Sequence, residues 1–322
     1  MLVCSEAEVR EILDLAALVP VVEAALARQA RGEVERPDRP HFPVGRGLDG
    51  REELGTGITM PAYIHGAEQY ATKLVGVHEA NPDRGLPTVN AVVALTDART
   101  GLPEALLAGN ALTNARTACI GALAVREFAP DARTLGVVGA GAQARWQTRA
   151  IATVADLADV RVYSPSDSRE ACATDLREAG VPARAVDSPR RAVEGADAVV
   201  TATTATEPVF PADALAPGAL VVAVGAYTGE MQELDPAVLE GAETVLGDVP
   251  SEVAETGDLL STDLGVEDLT EFGERLNGDD DPPAGRVVVA SVGTAVLDAA
   301  AGTFLYERAR EEPVGTDIAL WE

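Results

Sequence analysis

Apolar residues recur at Val9, Ile12, Leu15, Leu18, Val22 and Ala25, three or four positions apart, which is the spacing of one helical face. Ser5 followed by Glu8 three positions later is a capping-box signature and marks where this helix begins. Pro20 lacks the N–H that a helix interior needs, so the helix expected over 5–31 is expected to be interrupted there. From 36 to 66, prolines and glycines punctuate short apolar pieces such as Gly57-Ile58-Thr59-Met60. Strand-like runs follow at 71–77 and 89–95, the second ending in the turn signal Thr96-Asp97-Ala98-Arg99-Thr100-Gly101.

Helical spacing returns over 111–128, and beyond it the pattern changes. Short apolar runs at 134–138, 160–163, 183–186, 198–202, 220–224, 244–246 and 287–290 alternate with helical stretches at 142–155 and 169–179. Strand alternating with helix predicts a doubly wound parallel sheet, so the fold class is α/β, with an α+β domain ahead of it. A long helix over 291–310 closes the chain and is assigned back to the first domain. The expected division is 1–130 plus 293–322, and 131–292. The acidic, glycine- and proline-containing stretch 277–285 reads as a surface loop.

With 322 residues and 47% hydrophobic content there is ample material for a sizeable core. A formal charge of −27 makes the surface strongly negative, which disfavours nucleic-acid binding. Acidity on this scale is similar to that of proteins from organisms that accumulate salt in the cytoplasm, where ionic strength screens carboxylate repulsion. Cys4, Cys119 and Cys172 are widely spaced, and His41, His65 and His78 have no metal-ligand spacing, so neither a disulfide framework nor a protein-bound metal is expected. The N-terminal residues lack a signal-peptide pattern and no 18-residue apolar span occurs, which predicts a cytoplasmic protein with no membrane partner. Lys73 is the one lysine in the chain; every other formal cation is arginine. An amine kept in an arginine-only background suggests a task for a compact, deprotonatable charge.

Leu135-Gly136-Val137-Val138-Gly139-Ala140-Gly141-Ala142-Gln143-Ala144 runs from a strand through a glycine turn into a helix. Gly139 suits the tight turn, Gly141 the close approach of a pyrophosphate, and Ala144 close packing of helix on strand; Ala142 and Gln143 would present helix-terminal N–H groups to the phosphates. The next strand ends in Tyr163-Ser164-Pro165-Ser166, without the usual carboxylate for an NAD ribose. Ser164 with Arg169 would accept the extra phosphate of NADP, while Asp167, turned inward, would serve NAD. The expected cofactor is NAD(P), leaning to NADP. Thr203, Val224 and Gly225 follow later strands of the sheet, at the carboxyl ends where ligands bind.

Several segments in order now carry a resemblance: Met60-Pro61-Ala62-Tyr63, Lys73-Leu74-Val75, Asn81-Pro82, Thr113-Asn114-Ala115-Arg116-Thr117-Ala118, the glycine turn at 139–144, Ala223-Val224-Gly225-Ala226, Glu233-Leu234 and Ser291-Val292-Gly293. Together they make the chain resemble the ornithine cyclodeaminase/μ-crystallin family over nearly its whole length. The resemblance implies a substrate-binding and homodimerising domain built from the two chain ends, a Rossmann domain for NAD(P) in the middle, and an active site between them. It implies that Arg39, with Arg36 as competitor, and Arg116 clamp the carboxylate of an amino or imino acid, with Lys73 beside the reacting nitrogen. Met60 and Tyr227 would line the substrate pocket, Thr113 and Thr117 would reach the cofactor phosphates or else cap their helix, and Ser291 and Gly293 would cover the nicotinamide side.

In ornithine cyclodeaminases a carboxylate follows the Val-Gly segment and assists cyclisation and loss of ammonia. Here Tyr227 stands in that place and Glu230 is out of register. The resemblance therefore implies an NAD(P)H-dependent reductase of a cyclic imino acid, Δ1-pyrroline-2-carboxylate or its six-membered homologue. Ornithine cyclodeaminase, alanine dehydrogenase and a non-catalytic, crystallin-like NAD(P) binder are the alternatives.

Overall fold

The structure, a computed structural model, describes residues 1–276 and 283–320, and the chain divides into two compact units. Unit 1 gathers Met1–Asp14, Arg31–Arg116 and Ala295–Glu322; unit 2 gathers Leu15–Ala30 and Thr117–Thr294. Residues 15–30 and 117–130, expected in the first domain, thus pack with the second. The chain first leaves unit 1 after Asp14, and the N-terminal helix breaks there. Helix α1 (Glu6–Ile12) opens with the expected capping box on Ser5 and Glu8 and ends at Leu13 in extended backbone, ψ 120°. Helix α2 (Leu15–Ala30) starts after Asp14, a residue type that favours helix N-caps. Pro20 does not interrupt: it sits within α2 close to its start, where the ring removes one backbone hydrogen bond without ending the helix.

Unit 1 is built on a sheet of β1 (Leu2–Cys4), β2 (Val34–Glu35), β3 (His41–Val44), β4 (Gly55–Ile64), β5 (Gln69–Val77), β6 (Val89–Asp97), β7 (Pro103–Ala108) and the short strand Thr316–Asp317. Strands β4 to β7 form an antiparallel meander; β1 joins β7 in parallel, and β2 and β3 pair with β4. The period-2 alternation of β5 buries Gln69, Ala71 and Lys73 on one face and exposes Tyr70 and Leu74 on the other. The C-terminal helix (Ala295–Glu311) lies on the buried face, against β4, β5 and β6. At Gly302 a side chain would come within 3.1 Å of Leu95, so glycine lets this helix approach the sheet. Helix α3 (Gly109–Phe128) follows β7, its start held by the Glu6 carboxylate, which accepts from the Ala111 N–H at 3.1 Å.

Unit 2 carries β8 (Thr134–Val138), β9 (Asp159–Tyr163), β10 (Ala183–Ala185), β11 (Ala198–Thr201), β12 (Leu220–Ala223), β13 (Thr244–Gly247), β14 (Leu269–Glu271) and β15 (Val287–Ala290). All are parallel, in the order β10-β9-β8-β11-β12-β15-β13-β14. The central strands β11, β12 and β15 are buried along their whole length and rich in valine, as a sheet covered on both faces requires. Between β8 and β11 the strand order reverses, so the turn after β8 opens at the switch point where such sheets bind ligands. Helices α4 (Ala142–Ile151) and α5 (Ser168–Glu178) follow β8 and β9.

The last helix begins at Ala295, four residues later than its sequence suggests. Gly293 takes a left-handed backbone, φ 78°, and the N–H groups of Val292 and Gly293 donate to Asp248 instead of entering a helix. Of the loop expected over 277–285, residues 277–282 lie outside the described residues. Among the described residues no helix is long and apolar enough to cross a membrane.

Candidate functional site

Lys73 occupies the middle of β5, with Met60 of β4 and Val93 of β6 directly opposite it across the sheet. All three point to the face covered by the C-terminal helix, and Lys73 is only 2% exposed. A buried ammonium needs a counter-charge, and the helix supplies Asp298, itself fully buried. Its two carboxylate oxygens are divided between two cations: Oδ2 lies 2.7 Å from Lys73 Nζ, and Oδ1 accepts from Arg116 Nε at 3.0 Å. Arg116 projects from α3 and is likewise buried. The Lys73 pKa lies at about 8, lowered chiefly by burial and also by Arg116 and Arg39, with Asp298 opposing the fall. For Asp298, desolvation opposes ionisation, but Arg116 and Lys73 outweigh it and hold the carboxyl below its usual range. The cluster therefore places an amine of lowered pKa beside guanidinium groups, whose fork geometry suits a carboxylate.

Arg39 and Arg36 both lie, half-buried, in the segment between β2 and β3. The charge of Arg39 reaches Lys73 and lowers its pKa. Thr113 and Thr117 lie inside α3, one turn apart on the same helical face, so neither caps the helix.

In unit 2 the chain turns at Gly139, φ 120°, where a Cβ would sit 2.4 Å from the Ala202 carbonyl oxygen; only glycine fits. Around Gly141, by contrast, a Cβ would meet nothing within 4 Å. Gly141 is the N-cap of α4 without a side-chain cap, Ala142 is exposed, Gln143 half-buried, and the first turn has no acidic residue. Open space over uncapped N–H groups suits a pyrophosphate, so these residues fit the dinucleotide that the glycine pattern implies. At the end of β9 the hydroxyls of Ser164, Ser166 and Ser168 form a cluster, Ser168 lying 3.2 and 2.7 Å from the other two. Arg169 donates to the carbonyls of Ser164 and Ser166, and Asp167 faces solvent, fully exposed, rather than turning inward.

The loops that follow the central strands are fixed by buried carboxylates. Asp248, at the end of β13, accepts from Ser291 Oγ at 2.6 Å and from the N–H groups of Val292 and Gly293 at 3.1 and 2.8 Å. Gln29 of α2 donates to the Asp248 carbonyl oxygen and accepts from the Thr294 hydroxyl, which ties the same loop to α2. Glu233 accepts from the N–H groups of Thr203 and Gly225 and from the Thr201 hydroxyl. Val224 follows β12 directly, and Tyr227 stands three residues on, half exposed.

The sequence reading brought Lys73, Arg39 and Arg116 to one region and missed Asp298, the residue that joins two of them. A signal existed, because Asp298 is a lone charge in the apolar run 295–302. Asp248 carried no such mark, and Glu233 was noted only as part of a shared motif.

The sequence pattern of the ornithine cyclodeaminase/mu-crystallin family matches residues 1–313. The Δ1-pyrroline-2-carboxylate reductase of Bacillus cereus is 33% identical over 333 residues, covering 99% of both chains. Among solved structures, Thermococcus litoralis Δ1-pyrroline-2-carboxylate reductase in complex with NADH and L-proline superposes with a TM-score of 0.91 at 27% identity, over 99% of this chain and 100% of that one. An archaeal alanine dehydrogenase dimer with bound NAD has a TM-score of 0.90 at 26% identity, covering 100% and 99%.

Proposed function

The chain belongs to the ornithine cyclodeaminase/mu-crystallin family, and on that premise we propose that it is an NAD(P)H-dependent reductase of a cyclic imino acid with a five- or six-membered ring. Unit 1 binds the substrate and unit 2 the cofactor. The observation that carries the reading is the buried cluster of Lys73, Asp298 and Arg116, which has the parts an α-imino acid requires. Arg116 and Arg39 hold the carboxylate, so that the neighbouring C=N carbon is fixed in place. Lys73, with its pKa near 8, is mostly an ammonium at neutral pH and donates a proton to the imine nitrogen. Asp298 keeps Lys73 and Arg116 in register, and Met60, opposite Lys73 on the sheet, borders the ring.

The cofactor, when bound, supplies the hydride. Gly139, Gly141, Ala142 and Gln143 hold its pyrophosphate, with Thr113 and Thr117 as further donors; Thr203, Val224, Gly225, Ser291 and Gly293 border its nicotinamide end. The cluster of Ser164, Ser166 and Ser168 beside Arg169, with Asp167 turned away, supports a preference for NADP. Tyr227 in place of a carboxylate favours reduction over cyclodeamination, since no base stands there to assist ring closure. A homodimer is supported by the exposed face of the unit 1 sheet, where Tyr70 and Leu74 of β5 join Phe42 of β3. A cytoplasmic, salt-adapted protein completes the reading.

A spectrophotometric assay at high salt tests it, with pyrroline carboxylate, piperideine carboxylate, pyruvate plus ammonia, and ornithine, each with both cofactors. One of the cyclic imines is expected to oxidise NAD(P)H, and Lys73→Arg is expected to lose turnover while keeping cofactor affinity. Proline and ammonia from ornithine without net cofactor turnover would assign a cyclodeaminase instead, and loss of NADH only with pyruvate and ammonia an alanine dehydrogenase.

A further inference from the structure

Glu233 is buried, 0% exposed, and among the described residues no ammonium or guanidinium is paired with it. Leaving a carboxylate without a cation in such surroundings is costly unless donors surround it. Three do: Oε1 accepts from the Thr203 N–H at 2.6 Å, and Oε2 from the Thr201 hydroxyl at 2.9 Å and the Gly225 N–H at 2.8 Å. Thr201 ends β11, Thr203 lies in the loop after it, and Gly225 lies in the loop after β12. One side chain therefore ties together the loops leaving two neighbouring strands beside the switch point. The fit is close, because a Cβ at Gly225 would lie 2.4 Å from the carboxylate. Glu233 is itself fixed from behind, where Asp258 Oδ1 accepts from the N–H groups of Glu233 and Leu234 at 2.7 and 2.8 Å.

We infer that Glu233 is a positioning residue for the cofactor, whose ionised carboxylate sets the spacing of the Thr203 and Val224–Gly225 loops to receive the nicotinamide end. The assignment rests on the proposed NAD(P)-dependent reaction. The carboxylate accepts from all three donors at once; a proton on Oε1 sets an O–H against the Thr203 N–H, and one on Oε2 reverses the Thr201 hydroxyl and leaves a poorer acceptor for the Gly225 N–H, so the loops are held more weakly. The Glu233 pKa is raised to about 7, chiefly by burial and also by the neighbouring Asp258, the other titratable group acting on it, with the Thr203 and Thr201 donors opposing the rise. The charged form thus prevails above neutrality and the loosened form below it. Retention of a carboxyl that ionises with such difficulty, where a neutral glutamine would satisfy part of the same set, fits a need for all three bonds.

The test is calorimetric binding of NAD+ to the full chain at high salt, between about pH 6 and about pH 8, a range in which NAD+ has no titrating group. For the wild type, Kd is expected to rise about tenfold as pH falls through 7, following the loss of the ionised form. Glu233→Gln is expected to bind about tenfold more weakly at the upper pH and to lose the inflection, and Thr201→Val to keep the inflection with a smaller loss. A wild-type Kd flat across this range, or a Glu233→Gln protein with wild-type affinity and profile, overturns the assignment. A wild type that binds neither NAD+ nor NADP+ at any pH overturns the proposed reaction and this assignment with it.

Discussion

Asp298 holds two cations with two oxygens, and its charge sets how Lys73 titrates. Replacing it by asparagine leaves the size of the side chain almost unchanged and removes the negative charge. Both contributions that raise the Lys73 pKa come from Asp298, by charge and by hydrogen bond; burial, Arg116 and Arg39 all lower it. In Asp298→Asn the amine therefore ionises below its present value of about 8 and carries less of its charge at neutral pH. If Lys73 is the proton donor, the alkaline limb of kcat/KM, near 8 in the wild type, moves to lower pH, and the rate at pH 7 drops about twofold for a shift of one unit and about tenfold for two. Two buried cations left without their partner also cost on the order of 3 kcal/mol of stability, so the profile is to be read at a temperature where the variant is folded. A limb that stays in place would show that Lys73 is not the titrating donor.

At the level of elements, what was legible in the sequence was what depends on near neighbours. The valine runs of β8, β11 and β15 and the glycine turn after β8 are local patterns, and the strands predicted at 134–138 and 287–290 match the observed ones residue for residue. The break after α1 was not legible, and neither was the late start of the last helix, which distant partners decide. Val292 and Gly293 donate to Asp248, more than forty residues away, and the helix waits until those bonds are made. Strand β4 was seen only in fragments, since its glycines and Pro61 suppress strand propensity while pairing with β3 and β5 restores it. Asp298 and Lys73 stand 225 positions apart, and no spacing rule connects them. The glycine turn gives a test that separates folding from binding. Gly139→Ala forces a side chain against the Ala202 carbonyl at a positive φ, so it is expected to lose about 2 kcal/mol of stability along with cofactor binding. Gly141→Ala meets no neighbour and has an ordinary φ of −82°, so it is expected to melt like the wild type and yet bind cofactor at least tenfold more weakly. Equal losses of stability in the two variants, or undiminished binding by Gly141→Ala, would remove the pyrophosphate from this turn.

For the molecule as a whole, the balance of charge predicts how stability responds to salt. Acidic residues outnumber basic ones by 52 to 25, so even if every arginine and the single lysine found a partner, 27 carboxylates would remain to repel one another. Exposed pairs such as Arg190 with Asp213 and Arg310 with Asp317 stabilise the fold only weakly, and salt weakens them further. The excess repulsion acts over longer distances and is the part that screening removes first, as the Debye length falls from about 30 Å at 0.01 M to about 3 Å at 1 M. Repulsion therefore wins in dilute buffer, and relief of it wins as salt is added. The buried cluster of Lys73, Arg116 and Asp298 is shielded from solvent ions and does not enter this balance. The melting temperature, followed by circular dichroism in potassium chloride, is expected to climb steeply between about 0.01 and 1 M and to level off beyond, by which point the Debye length is shorter than the distance between most surface charges. A melting temperature that fell over that range would mean that the arginine pairs, rather than the unmatched carboxylates, govern the electrostatics of the surface.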